Sequence, residues 1–394
     1  MMIAHRTIDD PTFICPVLPG NLPSRLYRKL LRKKILLDFK SYNHTRPDGC
    51  EPFTDDRSEY GASLWKKLYS ADIINLHWVS GFIDYFSFFE TISDKVPVVW
   101  TFHDMNAFTG GCHYDFDCGK FISGCGACPQ LGSNKNSDIS RQIWQRKHKI
   151  FKGLNPHSLT IVAPSKWLLS KVRESPLLGR FKIVHIPYGL DVKVFMPRNR
   201  HVARDLFDIP HDKKILLFLA DDVSNHRKGF KILMKTLNAL KIQSNICLVS
   251  VGREKPDINA TFPHIHLGFI SDDRLLSLVY SAADLFLIPS LQDNLPNTVI
   301  ESLACGTPVV GFYAGGIPDM VRNGITGCLV PCQDADSMER AIIDLLSDTE
   351  KLNAMETNCR RIASEEYSLK KQALDYSELY ETILSNHQKK QCLV

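Results

Sequence analysis

The segment Pro289-Ser-Leu-Gln-Asp-Asn-Leu-Pro-Asn-Thr-Val-Ile-Glu301 is the most informative stretch of this chain. It leaves a short apolar run typical of a buried strand, passes through polar residues, and enters an amphipathic segment near Pro296, a residue suited to a first helical turn. The amides at a helix N-terminus are unsatisfied donors that the helix dipole makes more positive. The segment therefore predicts a strand–loop–helix unit that can bind a diphosphate at the helix start.

Three side chains of this segment could contact such a ligand. Asp293 lies in the loop, Thr298 lies in the first helical turn, and Glu301 follows Asp293 by eight residues. Carboxylates accept hydrogen bonds from two vicinal hydroxyls, which a ribose and a hexose both present. The alternative is a helix N-cap at Asp293 or Asn294 together with a solvated Glu301.

Short apolar runs alternate with longer amphipathic segments along the rest of the chain, which predicts an α/β fold with parallel sheets covered by helices. The predicted strands are Ile73–His77, Pro97–His103, Leu159–Ala163, Lys182–Ile186, Lys214–Leu219, Ile246–Val251, His264–Gly268, Asp284–Pro289 and Thr307–Phe312. The predicted helices include Lys228–Lys241, Asp272–Ala282, Asn297–Ala304 and Asp336–Leu346.

A length of 394 residues exceeds one ordinary core and favours two α/β domains. Ile186–Pro197 carries two prolines and a glycine directly after a strand, and we interpret it as the linker. We predict domains over residues 1–188 and 189–370, and a C-terminal helix in residues 371–394 that could cross back to the first domain.

Composition excludes several classes of function. With 48 basic and 43 acidic residues, the net charge of +5 is far from the dense basic stripe of a nucleic-acid-binding protein. No apolar run approaches the roughly 20 residues of a transmembrane helix, and Met1–Pro23 lacks the pattern of a secretory signal. We therefore expect a cytoplasmic protein with twelve cysteines in a reducing environment.

Leu22–Lys40 is basic and amphipathic. The segment predicts either a helix that lies on an anionic membrane surface or a solvated helix face on the first domain. Its basic and apolar residues are Arg25, Arg28, Lys29, Arg32, Lys33 and Lys34 beside Leu26, Leu30, Leu31, Ile35 and Leu36.

A second cationic segment, Asn225-His-Arg-Lys-Gly-Phe230, follows a predicted strand. Lys228 precedes Gly229 at a predicted helix start, where its ammonium could stabilise the negative charge that develops on a leaving diphosphate. Arg227 could add to that charge. The alternative is an exposed Arg–Lys pair with no role.

In the first half of the chain, the predicted strand Pro97–His103 ends at His103, and Asp104 follows it directly. Ligands of open parallel sheets gather at the carboxyl ends of the strands, so His103 would lie where a substrate binds, and Asp104 could orient it. The alternative is a structural histidine. His77 is a second candidate for the site, whereas we favour a packing role for Trp78.

Four cysteines with the spacing C-x5-C-x6-C-x2-C lie within 17 residues. Cys112, Cys118, Cys125 and Cys128 could bind a structural zinc, with His113 as a spare ligand, although a disulfide pair or free thiols are alternatives. No cofactor is expected for catalysis, because no Asp-x-Asp element follows a strand end to bind Mg²⁺ or Mn²⁺.

Directly after Glu301 comes Ser302-Leu-Ala-Cys-Gly-Thr-Pro-Val-Val-Gly-Phe-Tyr-Ala-Gly-Gly-Ile-Pro-Asp319. Together with Asp293 and Glu301, it closely resembles the second-domain signature of glycosyltransferase family 4. The resemblance implies the GT-B architecture, in which two Rossmann-like domains face each other across a cleft. It also implies that Asp293 and His103 contact the donor sugar and that Glu301 binds the ribose hydroxyls. Asp319 stands where the family usually has Glu, and Ala220-Asp221 stands where it has Gly-Arg.

A narrower resemblance rests on His103-Asp-Met-Asn-Ala-Phe-Thr-Gly-Gly-Cys-His-Tyr114, Cys125-Gly-Ala-Cys-Pro-Gln-Leu-Gly-Ser133 and Ala163-Pro-Ser-Lys-Trp167. These motifs resemble bacterial enzymes that build exopolysaccharide, colanic-acid-type and O-antigen repeat units. They imply a UDP- or GDP-sugar donor, a glycolipid or oligosaccharide acceptor, and association with the inner membrane face. Residues 1–60 lack the strand and Gly-rich loop with which family members usually begin.

The resulting hypothesis is a retaining, metal-independent sugar transfer. Lys228, Arg227 and the helix start would stabilise the leaving diphosphate, Asp293 and His103 would position the sugar, and the departing phosphate would take the acceptor proton. An inactive sugar-nucleotide-binding subunit, a nucleotide-sugar epimerase and a phosphorylase are alternatives on the same architecture. For the phosphorylase, no pyridoxal-phosphate lysine can be identified.

Overall fold

The computed structural model describes residues 2–3, 13–14, 22–93, 95–219, 223–240, 245–258 and 262–391. Ala220-Asp221 lies outside these residues. The chain forms two compact units, of which the first comprises Met1–Pro164, Leu168–His185 and Ser377–Val394, and the second comprises Ser165–Trp167 and Ile186–Tyr376. Apart from Ser165–Trp167, the chain passes from the first unit to the second after residue 185 and returns to the first after residue 376. The sequence predicts these boundaries after residues 188 and 370.

The first unit is built on a parallel sheet whose four strands follow one another in chain order, β3-β4-β5-β6. A separate parallel pair, β1 and β2, lies in the part of the chain where the sequence predicts no strand. The strands are β1 (Met2–Ile3), β2 (Phe13–Ile14), β3 (Ile74–Leu76), β4 (Val98–Thr101), β5 (Leu159–Ala163) and β6 (Lys182–His185). The helices are α1 (Leu22–Lys40), α2 (Ala62–Trp65), α3 (Tyr85–Ile92), α4 (Ile139–Gly153) and α5 (Lys166–Glu174).

Local sequence explains where the helices of this unit begin. The Asp84 and Asp138 side chains accept hydrogen bonds from first-turn amides of α3 and α4, which satisfies donors that the helix itself leaves free. An aromatic cluster then holds α3 and α4 against β4: Tyr85, Phe89 and Phe151 surround Trp100 at centroid distances of 5.3 to 6.4 Å.

The second unit is built on a six-stranded parallel sheet with the order β9-β8-β7-β10-β11-β12. Numbered within the unit, this is the order 3-2-1-4-5-6 of dinucleotide-binding Rossmann folds. The strands are β7 (Lys214–Leu219), β8 (Ile246–Val251), β9 (His264–His266), β10 (Leu285–Ile288), β11 (Val309–Phe312) and β12 (Gly327–Val330). The helices are α6 (Arg200–Leu206), α7 (Phe230–Ala239), α8 (Asp273–Ala282), α9 (Asn297–Ala304), α10 (Ile317–Met320), α11 (Ala335–Ser347), α12 (Thr349–Glu366) and α13 (Leu369–Gln391), whose C-terminal part groups with the first unit.

The sheet of the second unit is buried on both faces, because successive residues of a strand point to opposite sides. Leu216 of β7 belongs to one hydrophobic cluster and Leu217 to the other. Both side chains are fully buried. The near-continuous apolar runs that mark these strands in the sequence follow from this two-sided burial.

The nine predicted strands are all present as β3 to β11, and β1, β2 and β12 are additional. The predicted start of a helix at Lys228 is wrong, because Lys228 lies in a 3₁₀ turn, His226–Lys228, and α7 begins at Phe230. Between them, Gly229 adopts φ of 66°, a left-handed conformation that interrupts the helix.

Candidate donor site

The candidate site of the second unit lies at the carboxyl ends of β7 and β10. The sheet order reverses between these two strands, and this switch point is where open α/β sheets bind ligands. The loop after β7 carries Arg227 and Lys228, and the loop after β10 carries Ser290 and Asp293. The topology therefore brings together the two segments that the sequence analysis selected.

Gly229 joins these two loops by a close backbone approach. A Cβ atom at this position would lie 1.8 Å from the carbonyl oxygen of Pro289, so no other residue fits without a shift of the backbone. Next to it, the Leu291 amide donates a hydrogen bond to the Arg227 carbonyl at 2.8 Å. These contacts place the cationic turn directly against the end of β10.

Both cations are paired with Asp293. Its Oδ2 atom lies 2.8 Å from Arg227 Nη1 and 2.9 Å from Lys228 Nζ. Burial by itself raises the pKa of the Asp293 carboxyl, but Lys228 and Arg227 outweigh this and lower the pKa below its ordinary value. Asp293 is therefore ionised at neutral pH, and it fixes the positions of the two cations.

The start of α9 contributes backbone donors. Pro296 occupies the N-cap position, and no side chain of a described residue caps the helix there. Thr298, Glu301 and Lys228 line one cavity of about 310 Å³. Its other lining residues are Phe218, Leu219, Val251, Gly252, Phe269, Ile270, Leu276, Ile288, Pro289 and Ser290. Uncapped amides, an ammonium, a hydroxyl and a carboxylate thus border an otherwise mostly apolar cavity.

Two residues of this site were not selected as candidates from the sequence. Tyr280 of α8 is fully buried, and its Oη donates a hydrogen bond to Glu301 Oε2 at 2.9 Å. Ser290 lies at the end of β10, and its buried hydroxyl has no hydrogen-bond partner among the described residues. Ser290 sits inside the quoted signature and could have been selected there, whereas nothing in the sequence links Tyr280 to Glu301.

Burial raises the pKa of Glu301 to about 7, against the opposing effect of the Tyr280 hydrogen bond. The carboxyl therefore titrates near neutral pH. Glu301 differs in this respect from Asp293, because among the described residues no cation is hydrogen-bonded to Glu301.

In the first unit, His77 and His103 follow the ends of β3 and β4. A hydrogen bond of 3.0 Å joins His77 Nδ1 to His103 Nε2. Burial, together with the His77 ring, lowers the pKa of His103 to about 4. The histidine that the sequence analysis selected is thus neutral at pH 7.

Asp104 organises the residues around this pair. Its Oδ2 accepts hydrogen bonds from His113 Nδ1 at 2.6 Å and from Trp78 Nε1 at 3.2 Å. The packing role favoured for Trp78 is wrong, since 59% of this side chain is exposed. The second ring nitrogen of His113, the predicted spare zinc ligand, is hydrogen-bonded to Thr54 Oγ1.

The four cysteines of the loop are free thiols that line one small cavity. The Gly110 amide donates a hydrogen bond to Cys125 Sγ at 3.2 Å. Within the described ranges, no group of three or more His, Cys, Asp or Glu side chains is arranged as it would be around a metal ion. A structural zinc at Cys112, Cys118, Cys125 and Cys128 therefore stays a prediction.

Comparison with known proteins identifies the class to which this architecture belongs. The chain superposes on sucrose-phosphate synthase from Thermosynechococcus elongatus with a TM-score of 0.63 and 20% identity, over 82% of this chain and 77% of that one. It superposes on the Anabaena protein HepE, solved with UDP-glucose, with a TM-score of 0.53 and 14% identity, over 84% and 82%. These similarities show the fold, and the predicted α/β fold class of the GT-B type is confirmed.

The sequence comparison is more specific for the second unit. Residues 213–348 match the family model described as glycosyl transferases group 1. A D-inositol 3-phosphate glycosyltransferase of Mycolicibacterium smegmatis is 32% identical over 183 residues, which cover 43% of this chain and 40% of that protein. The chain thus matches less than half of this curated relative. The predicted resemblance to glycosyltransferases is confirmed for this segment.

Proposed function

We propose that this chain is a family 4 glycosyltransferase that transfers a sugar from a UDP- or GDP-sugar to a glycolipid or oligosaccharide acceptor in cell-surface polysaccharide synthesis. The observation that carries this proposal is the shared cavity of Lys228, Thr298 and Glu301 at the start of α9. The fold shared with HepE, whose structure contains UDP-glucose, supports a uridine donor.

The cavity suits the parts of a nucleotide sugar. The α9 amides, the Thr298 hydroxyl and the Lys228 ammonium would bind the diphosphate. The carboxylate of Glu301 would accept hydrogen bonds from two ribose hydroxyls. Apolar side chains, among them Phe269 and Leu276, would surround the base.

Transfer would begin with cleavage of the bond between the sugar C1 and the diphosphate oxygen, which leaves with the electron pair. Lys228 and Arg227 would stabilise the negative charge that develops there. The acceptor hydroxyl would form its bond to C1 on the face that the diphosphate leaves, which gives retention, and its proton would pass to the departing phosphate. Asp293 would contact the donor sugar while it holds both cations. These steps need no metal ion.

Isothermal titration calorimetry with UDP, GDP and ADP tests the donor site. We expect one of the nucleotides to bind the wild-type protein at least ten-fold more tightly than it binds Lys228→Ala. Lys231→Ala is the matched control, because this exposed lysine lies three residues further along, on α7. Turnover of UDP-glucose, UDP-N-acetylglucosamine or GDP-mannose that depends on an added acceptor supports transfer. Nucleotide release without an acceptor would point to the epimerase, and binding without release would point to the inactive subunit.

A membrane surface as partner is proposed from α1. The five residues Arg28, Leu31, Ile35, Asp38 and Phe39 are partly buried and form one side of this helix. On the other side, Leu26, Leu30 and Leu37 recur at helical spacing and are each more than half exposed. Lys29, Lys33 and Lys34 flank this apolar stripe, as in helices that lie in an anionic membrane interface. No described helix has the length and apolar character needed to cross a bilayer.

A further inference from the structure

Trp78 is an exposed aromatic side chain that its neighbours hold in a fixed position. Its indole N–H donates a hydrogen bond to Asp104 Oδ2, and its ring lies beside that of His113 at a centroid distance of 5.9 Å. Asp104 is itself fixed by His113 and by the Asn106 amide. An exposed tryptophan loses little conformational entropy on binding when it is already immobilised in this way.

The surroundings of Trp78 are polar but uncharged, apart from Asp104. His77 and Trp78 are bonded to His103 and Asp104 respectively, so two consecutive residues after β3 pair with two consecutive residues after β4. The ring nitrogens of the histidines and the carboxylate of Asp104 are groups that bind hydroxyls. A flat apolar ring therefore lies beside a row of hydrogen-bonding groups.

The charge of these surroundings selects among ligand classes. The described residues that line the shallow cavity beside Trp78 include no lysine or arginine, and burial lowers the pKa of both histidines, which keeps them neutral at pH 7. A phosphate or carboxylate would find the acidic side chain of Asp104 there and no lysine or arginine. A neutral polyhydroxylated ring, with an apolar C–H face and polar edges, matches both the indole and its rim.

We propose that Trp78 is a stacking platform for a pyranose ring of the acceptor, whose hydroxyls are held by the adjacent His77 and Asp104. This rests on the proposed function in one respect, namely that the ring belongs to an acceptor. It names the substrate class of the first unit as a neutral carbohydrate. Trp78 acts here as a specificity-determining residue and takes no part in the bond changes.

Saturation-transfer NMR with the methyl glycosides of glucose, galactose and mannose tests the platform in nucleotide-free protein. We expect at least one glycoside to receive saturation on the C–H protons of one ring face and to bind Trp78→Ala at least ten-fold more weakly. Trp78→Phe, which keeps an aromatic ring, should bind with intermediate affinity. Phe86→Ala is the matched control, because Phe86 of α3 is also 59% exposed, and this variant should bind like the wild type.

Nucleotide affinity distinguishes this proposal from the donor site. We expect Trp78→Ala to bind UDP or GDP as the wild type does. Glycoside binding that is equal in wild type and Trp78→Ala, or absent from the wild type, overturns the platform. Should glycosides bind through Trp78 while no nucleotide binds at all, the platform stands and the proposed transferase function fails. If Trp78→Ala does not fold, the Trp78→Phe variant decides through its intermediate affinity.

Discussion

The hydroxyl of Tyr280 donates a hydrogen bond of 2.9 Å to Glu301, and this places a buried phenol behind a carboxylate that titrates near neutral pH. The two residues lie on α8 and α9, and their contact orients the group proposed to bind the ribose and offsets part of the rise in pKa that burial causes. Only the ionised carboxylate accepts two hydrogen bonds from vicinal hydroxyls without a competing proton.

Nucleotide affinity should therefore rise with pH. Burial raises the pKa of Glu301 to about 7, so the carboxyl changes from mostly protonated at pH 6 to mostly ionised at pH 8. In Tyr280→Phe the carboxylate loses a donor, the pKa of Glu301 rises further, and the midpoint of UDP or GDP binding should move to higher pH. Calorimetric titrations between about pH 5.5 and 9 measure this midpoint, because the interval extends at least about 1.5 pH units to either side of the Glu301 pKa. An unchanged midpoint would show that Glu301 is not the titrating group.

Replacement of Glu301 by Gln should stabilise the free protein at alkaline pH. The pKa of Glu301 is about 7 in the folded state and 4.5 for the ordinary carboxyl. Because the pKa is higher in the folded state, the folded protein keeps this proton until the pH rises through about 7, whereas the unfolded chain loses it near pH 4.5. At pH 8 the carboxylate is charged and buried in the folded protein, and this lowers the free energy of unfolding. We expect Glu301→Gln to gain roughly 1–3 kcal/mol at pH 8 and much less at pH 5. Urea denaturation at the two pH values tests this, and a gain that does not depend on pH would contradict it.

Asp293 and Lys228 should differ in their effects on stability. Removal of the Asp293 charge leaves the buried Arg227 guanidinium without its carboxylate, and Asp293→Ala should lose about 3–5 kcal/mol. Lys228 is one-third exposed, and in Lys228→Ala the pair of Arg227 and Asp293 survives. This variant should unfold within about 1 kcal/mol of the wild type, although it binds nucleotide poorly. Equal destabilisation of both variants would mean that the Arg227 pair is not the structural contact.

Gly229→Ala should be strongly destabilising. The left-handed backbone alone costs an alanine about 1–2 kcal/mol, and the new Cβ would also stand 1.8 Å from the Pro289 carbonyl oxygen. Gly324→Ala is the control, because Gly324 has φ of 76° with nothing within 4 Å of the added Cβ. Thermal unfolding of the two variants separates strain from collision. A similar loss in both would show that the loops after β7 and β10 adapt to the added methyl group.

Metal analysis tests the zinc prediction. Protein purified without chelator should contain about one equivalent of zinc per chain if the thiolates of Cys112, Cys118, Cys125 and Cys128 close a site. Cys125→Ser should then lose the metal, whereas Cys332→Ser, at an exposed cysteine of the second unit, should retain it. A stable wild-type protein without metal ends this prediction and leaves a loop of free thiols.

Vesicle co-sedimentation tests α1. We expect binding to vesicles of phosphatidylglycerol but not of phosphatidylcholine, with a loss of affinity as salt is added. Leu30→Asp should weaken this binding at least ten-fold, because it places a charge within the apolar stripe. Leu206→Asp changes an equally exposed leucine of the second unit and should have no effect. Binding that is insensitive to both variants would favour the solvated helix face.

The sequence by itself determined the class of fold and most of the residues of the candidate donor site. Burial on both faces makes each central strand a short apolar run, and the residues after β10 are contiguous from Pro289 to Glu301, so local pattern was sufficient. Tertiary structure alone decided the contacts between distant segments. Tyr280 reaches Glu301 from another helix, Asp293 pairs with Lys228, 65 residues away, and Trp78 is exposed where local pattern favoured packing. These contacts depend on strand order and side-chain direction, and neither of these is encoded in the spacing of residues along one segment.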